Sequence, residues 1–171
     1  MHLVSISRRN ILCIFKLIYG VGLQAIRKLF KEMNPTWTNQ PSDAAAFDRG
    51  KMKLNKEEEN VFNSGDIEKW DFSLITTALC FSKTCALEMS KRADCDDALK
   101  ELKKIRNKLL GHPSTDRMCD ADFNIYWPQL SSHFVTLGAN PADIADIKNQ
   151  SGTLLLNQHF VLQKYITSLF N

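Results

Sequence analysis

The stretch Leu99-Lys100-Glu101-Leu102-Lys103-Lys104-Ile105-Arg106-Asn107-Lys108-Leu109-Leu110-Gly111-His112-Pro113 decides how the chain is read. At about 100° per residue, Ala98, Leu99, Leu102, Ile105, Leu109 and Leu110 share one broad apolar stripe, and Lys100, Lys103, Lys104 and Lys108 fall outside it. This is the end of an amphipathic helix, with Gly111 as its stop and Pro113 forbidding continuation. Arg106 breaks the pattern by falling inside the apolar stripe, about 40° from Leu102. A permanent charge on a face meant for burial must be paired, hydrogen-bonded or aimed into a groove. His112, just past the stop, is placed to return beside it. A plainer reading stands next to this one: the His favours the negative helix end, and the Arg snorkels or pairs with an acid.

The sequence before this stretch is also helical. Ile11, Ile14, Phe15, Ile18, Val21, Ala25, Ile26, Leu29 and Phe30 have helical spacing, predicting a helix from Ser7 or Arg9 to Met33 that ends before Asn34-Pro35. Gly20 and Gly22 weaken it locally and let another helix approach. Ser42 is expected to cap a short turn over 43–47, and Asn55 a helix whose first turn holds Glu57, Glu58 and Glu59. Asn63-Ser64-Gly65 ends that piece. Asp71 then caps a long helix from Phe72 to about Arg92, and Asp94, Asp96 and Asp97 cap and charge the start of the Arg106 helix.

After His112 the pattern resumes at Asp120. Phe123, Trp127, Leu130, Phe134 and Leu137 form one helical seam, which Pro128 is expected to kink or restart and Gly138 to stop. Pro141 opens a short helix through Ile144 and Ile147, and a last helix is expected over 154–170. No alternating run suggests a strand, so the fold class is all-α, a bundle of about five principal helices with short extra ones. The whole of 1–171 is expected to be one domain: an N-terminal amphipathic helix over 1–34, a loop-rich connector over 35–70 and a bundle core over 71–171.

Composition narrows the function. The net charge of +3 does not demand nucleic acid. Its distribution permits a polyanion, because Arg8, Arg9, Lys16, Arg27, Lys28 and Lys31 face only Glu32 in the first segment, and the Lys-rich back of the Arg106 helix is a second basic surface. Cys13, Cys80, Cys85, Cys95 and Cys119 contain no Cys-x-x-Cys pair, which argues against a zinc site or a disulfide framework and for a reducing, cytoplasmic compartment. Asp94, Asp96 and Asp97 lack the glycine turn and distal Glu of a calcium loop, so no metal is expected. No Gly-rich phosphate loop supports nucleotide binding, and no cofactor is expected. Ile11 to Leu23 follows two arginines as a signal peptide would. Lys16 interrupts it, no small-x-small site closes it, and it is too short to span a membrane, so no membrane association is expected.

The segment Ile105-Arg106-Asn107-Lys108-Leu109-Leu110-Gly111-His112 resembles the Arg-polar-x4-His motif of HEPN domains. Asp122-Phe123-Asn124-Ile125-Tyr126-Trp127, Leu137-Gly138 and Ile144-Ala145-Asp146-Ile147-Lys148 resemble one animal subfamily, found in DAZ-interacting RING-finger ubiquitin ligases and in many invertebrate multidomain proteins. Val21 to Phe30 and Leu54-Asn55-Lys56 resemble its N-terminal elements, with Tyr19-Gly20 standing in place of a Val-Asp-like pair. The resemblance implies an α-helical bundle, frequently dimeric, that binds RNA and in many members cleaves it without a metal. Carried over, Arg106 and His112 are the catalytic or RNA-contacting residues, Asn107 is the polar residue of the motif, and Lys103 and Lys108 flank it as RNA contacts. No RING-type cysteine and histidine spacing is present, so the ligase activity does not carry over.

RNA cleavage by internal transfer needs a base for the 2′-hydroxyl, an acid for the leaving oxygen and positive charge over the phosphate. A His suits the proton work and an Arg the phosphate. The single motif His of one chain fills one proton role, so a homodimer would fill both, unless water or Lys108 substitutes. Against this stands a non-enzymatic oligomerisation or adaptor module of an innate-defence or ubiquitin-ligase-type protein, in which Arg106 is structural and the partners are other domains or proteins.

Overall fold

A computed structural model describes residues 2–110 and 118–150, and among them every regular element is helical. The protein is an all-α bundle of α1 (His2–Lys16), α2 (Leu23–Met33), α3 (Pro41–Ala46), α4 (Lys56–Asn63), α5 (Phe72–Phe81), α6 (Lys83–Ser90), α7 (Ala93–Leu110), α8 (Asp120–Thr136) and α9 (Pro141–Gln150). The expected helix over 154–170 lies outside the described residues, as do Gly111, His112 and Pro113.

The first expected helix ends at Met33 as its Asn34-Pro35 boundary requires, but it is not uniform. Leu17–Gly22 forms a π-helical turn between α1 and α2, a widened geometry that re-aims side chains within an otherwise continuous helix. Gly22 is buried there, and a Cβ on it would overlap the Phe134 ring of α8 and lie 2.7 Å from the Leu17 carbonyl oxygen. Gly20 has nothing within 4 Å of such an atom, so only the second glycine admits a close neighbour. The longer run Arg8–Met33, which extends beyond Ile11–Leu23 at both ends, is long and apolar enough, by length and composition only, to cross a membrane. Its side chains nevertheless build the core, with Ile14, Leu17, Ile18, Ile26 and Phe30 fully enclosed.

Three further boundaries depart from the sequence pattern. The helix expected from Phe72 to Arg92 breaks at Ser82, whose backbone is extended and whose hydroxyl accepts from the Cys85 amide at 3.2 Å. The loop before α4 takes over the freed groups: Lys51 N donates to Phe81 O at 2.8 Å and Lys83 N to Asp48 O at 3.1 Å. Conversely α8 runs through Pro128 without restarting, and Pro128 is exposed. The short helix after Trp37 starts at Pro41 rather than behind a Ser42 cap; the Asp43 carboxylate organises its entry by accepting from Thr38 N, Gln40 N and the Thr38 hydroxyl. Asn55 and Asp71 cap α4 and α5 as expected. In α7, Asp94 and Asp96 charge the first turn rather than cap it.

The core has two parts. The seam Phe123, Trp127, Leu130, Phe134 and Leu137 of α8 is buried against α1, α7 and the π-helical turn. Around the connector, Phe30, Trp37, Phe47, Phe62 and Trp70 interlock with ring centroids between 5.1 and 5.8 Å apart. Edge-to-face aromatic contacts of this kind add to the stabilisation from burial. Trp37 is further pinned by its indole N–H, which donates to Gly65 O at 2.8 Å. The connector is thus anchored to α2 by its aromatic side chains.

Candidate nucleic-acid interface

Helix α7 carries the candidate residues. Leu99, Leu102 and Ile105 bury its apolar stripe, which fixes how far round the helix Arg106 can point. Arg106 is half-buried on the edge of that stripe. Its Nε donates to the Tyr19 hydroxyl at 3.3 Å and its Nη1 to Asn107 Oδ1 at 3.1 Å, and its guanidinium carbon lies 6.0 Å from the Phe72 ring centroid. Among the described residues no carboxylate pairs with it. Neutral acceptors hold the group in place without cancelling its charge.

Arg27 shows the contrasting case. Its guanidinium donates to the carbonyl oxygens of Glu68 at 2.6 Å and Trp70 at 2.8 Å and pairs with the Glu68 carboxylate at 3.4 Å. Only 12% of its side chain is exposed. Burial pushes its pKa down while Glu68 pushes it back up. Arg27 ties α2 to the connector with its charge satisfied, whereas Arg106 is held with its charge open.

Tyr19 is the residue that sequence reading did not place at the site. It belongs to the π-helical turn, stacks on Phe15 at a centroid distance of 5.9 Å and meets Arg106 of α7 from 87 positions away in the sequence. Burial pushes its phenol pKa up, and the neighbouring Arg106 charge partly opposes the shift. It therefore stays a neutral hydroxyl at physiological pH. The one signal in the sequence was that Tyr19-Gly20 stands where the resembled subfamily has a Val-Asp-like pair.

The remaining candidates divide. Asn107 is joined to Arg106 and also lines an open groove of about 870 Å³ shared with Cys80, Phe81, Ala86 and Lys103. Lys103 Nζ sits over the half-exposed Phe81 ring, 5.3 Å from its centroid. Lys100 and Lys104, on the same flank, are paired with Asp96 and Glu101. Lys108 lies about 200° round the helix from Arg106 and turns to α8, where it sits 5.4 Å from the Tyr126 ring centroid. Its hydrogen bond to Tyr126, then the charge interactions with Tyr126 and Asp122, hold its pKa above the usual lysine value. The structure therefore brings together Arg106, Asn107 and Lys103 and places Lys108 elsewhere. His112 lies outside the described residues, between α7 and Met118. Beyond that interval the chain is tethered: Asn10 Nδ2 donates to Met118 O at 3.3 Å and to Asp120 Oδ1 at 2.7 Å, fixing the start of α8 to α1.

Comparison with known proteins locates the same region. Residues 82–160 match the family model described as DZIP3/hRUL138-like HEPN, a span of just under half the chain that runs from the Ser82 break through α7, α8 and α9. No curated protein and no solved structure gives a match. The matched span contains Arg106, Asn107 and His112 at the spacing of the Arg-polar-x4-His motif, and its described residues are helical. The match over residues 82–160 supports a HEPN domain of the DZIP3/hRUL138-like kind in that part of the chain.

Proposed function

We propose that this chain is an RNA-binding HEPN module that engages the phosphodiester backbone through Arg106 and acts on it as a metal-independent endoribonuclease. The observation that carries the reading is the state of Arg106: half-buried, oriented by Tyr19 and Asn107, and without a counter-ion among the described residues. A guanidinium in that state is stabilised by an anion, and its planar donor fork fits a phosphate. Lys103, about 60° round the same helix, adds a second cation on that side.

In the cleavage this implies, the 2′-hydroxyl oxygen attacks the adjacent phosphorus and the bond to the 5′-oxygen breaks. One group takes the 2′-hydroxyl proton and another gives a proton to the departing oxygen. Arg106 stabilises the negative charge that builds on the non-bridging oxygens. His112 supplies one proton role, and a second copy of the chain supplies the other in a homodimer.

The test is incubation of the purified protein with labelled RNA in chelator, beside a light-scattering measurement of mass. The reading expects cleavage in the parent that disappears in Arg106→Ala and His112→Ala. Equal cleavage in parent and variants would sink the catalytic part. RNA affinity that is negligible at every salt concentration would sink the RNA part and favour an adaptor module.

A further inference from the structure

Which edge an arginine offers a ligand depends on which of its five N–H donors are already used. A phosphate oxygen pair can be gripped side-on, by Nε and Nη2, or end-on, by Nη1 and Nη2. At Arg106 the side-on fork is broken, because Nε is given to the Tyr19 hydroxyl at 3.3 Å. Nη1 gives one hydrogen to Asn107 Oδ1 and keeps another, and among the described residues no acceptor is bonded to Nη2. The end-on edge is the one left for a ligand.

Tyr19 is itself held firmly enough to decide this. Its backbone lies in the π-helical turn, which Gly22 presses against Phe134, and its ring stacks on Phe15 with planes 22° apart. Arg106, in contrast, sits on a long side chain with many rotamers, and fixing one of them is an entropic cost that each ligand would otherwise meet on binding. Asn107 is the next residue on the same helix and steadies Nη1, the Phe72 ring of α5 lies 6.0 Å from the guanidinium carbon, and among the described residues Tyr19 is the hydrogen-bond partner that comes from another part of the bundle.

We infer that Tyr19 is the positioning residue for Arg106, fixing the guanidinium through Nε so that its Nη1 and Nη2 edge meets the non-bridging oxygens of an RNA phosphodiester end-on. The inference rests on the RNA reading of the Arg106 face. It lies outside the matched span of residues 82–160 and gives the N-terminal helical run a role at the site.

The test uses the full chain as parent, Tyr19→Phe, Arg106→Ala and the double variant. Each is titrated with a labelled single-stranded RNA of mixed sequence in chelator and melted thermally. The Arg106 Nε–H resonance, identified by its loss in Arg106→Lys, is followed by nitrogen-edited NMR without RNA. Tyr19→Phe keeps the ring stack and should melt close to the parent. It should lose the exchange-protected Nε–H signal and bind RNA about threefold to tenfold more weakly, the size of one hydrogen bond. In the Arg106→Ala background the same change should do nothing further. An Nε–H signal unchanged in Tyr19→Phe overturns the positioning role, and so does an equal loss of affinity in both backgrounds, which is what a general structural effect would give. A parent that binds no RNA at low salt overturns the RNA reading and the phosphodiester ligand with it, while the Nε–H signal still reports separately whether Tyr19 holds Arg106.

Discussion

Gly22 lies against the ring of Phe134, so close that no side-chain carbon fits between the N-terminal helical run and α8. The π-helical turn that carries Gly22 also carries Tyr19, so this contact and the Arg106 hydrogen bond are two ends of one local structure. Gly22→Ala should cost about 1–3 kcal/mol, because the Phe134 ring and the Leu17 carbonyl must both move. Gly20→Ala, where the space is open, should instead gain about 0.5–1 kcal/mol from the helical preference of alanine. Denaturant unfolding of the two variants checks the opposite signs.

The two arginines should separate by stability. Arg27→Ala leaves the Glu68 and Trp70 carbonyls without their donors, a loss of about 1–3 kcal/mol. Arg106→Ala removes a half-exposed group whose partners can turn to water, and should cost about 1 kcal/mol or less. A larger loss for Arg106 than for Arg27 in denaturant midpoints would make Arg106 a structural residue, as the adaptor reading requires.

The lysines should separate by salt dependence. Each phosphate contact contributes about 0.7 to the slope of log affinity against log salt for a single strand. Lys103→Ala, on the Arg106 side of α7, should lower that slope by about one contact, and Lys108→Ala, turned toward Tyr126, should leave it nearly unchanged. Fluorescence anisotropy across a salt series reads both.

Acid should loosen the connector through Asp43. The hydrogen bond from the Gln40 backbone, opposed by desolvation and reinforced by the bonds from Thr38 and Asn39, holds its carboxyl below the usual carboxylate range. Its folded pKa is lower than its unfolded one, so its stabilisation is present above the ordinary carboxylate value and is lost as pH falls through the depressed one. The melting-temperature difference between parent and Asp43→Asn should therefore be full near neutrality and vanish in strong acid. Thermal melts across that range measure it.

The helices were legible because each depends on local chemistry. The seam from Phe123 to Leu137 repeats at helical spacing, Asn55 and Asp71 cap from a few residues away, and Gly138 stops α8 with a positive φ of 95°. The break at Ser82 was not, because an unbroken apolar pattern runs through it. What favours the break is a loop from residues 48–51 that bonds Phe81 and Lys83. Pro128 does not restart the helix: it falls on the exposed side of α8, which continues past it.

The site divides along the same line. Arg106 was legible from sequence alone as out of place on an apolar stripe, with Asn107 and His112 at the spacing of the resembled motif, because all three fall within seven consecutive positions. Only the tertiary structure decided what holds Arg106, because Tyr19 is separated from it by 87 positions and is turned toward it by a π-helical widening that no periodicity announces. It also decided which lysine shares the face, since burial of Leu99, Leu102 and Ile105 sets the rotation of α7 and so sends Lys103 one way and Lys108 the other.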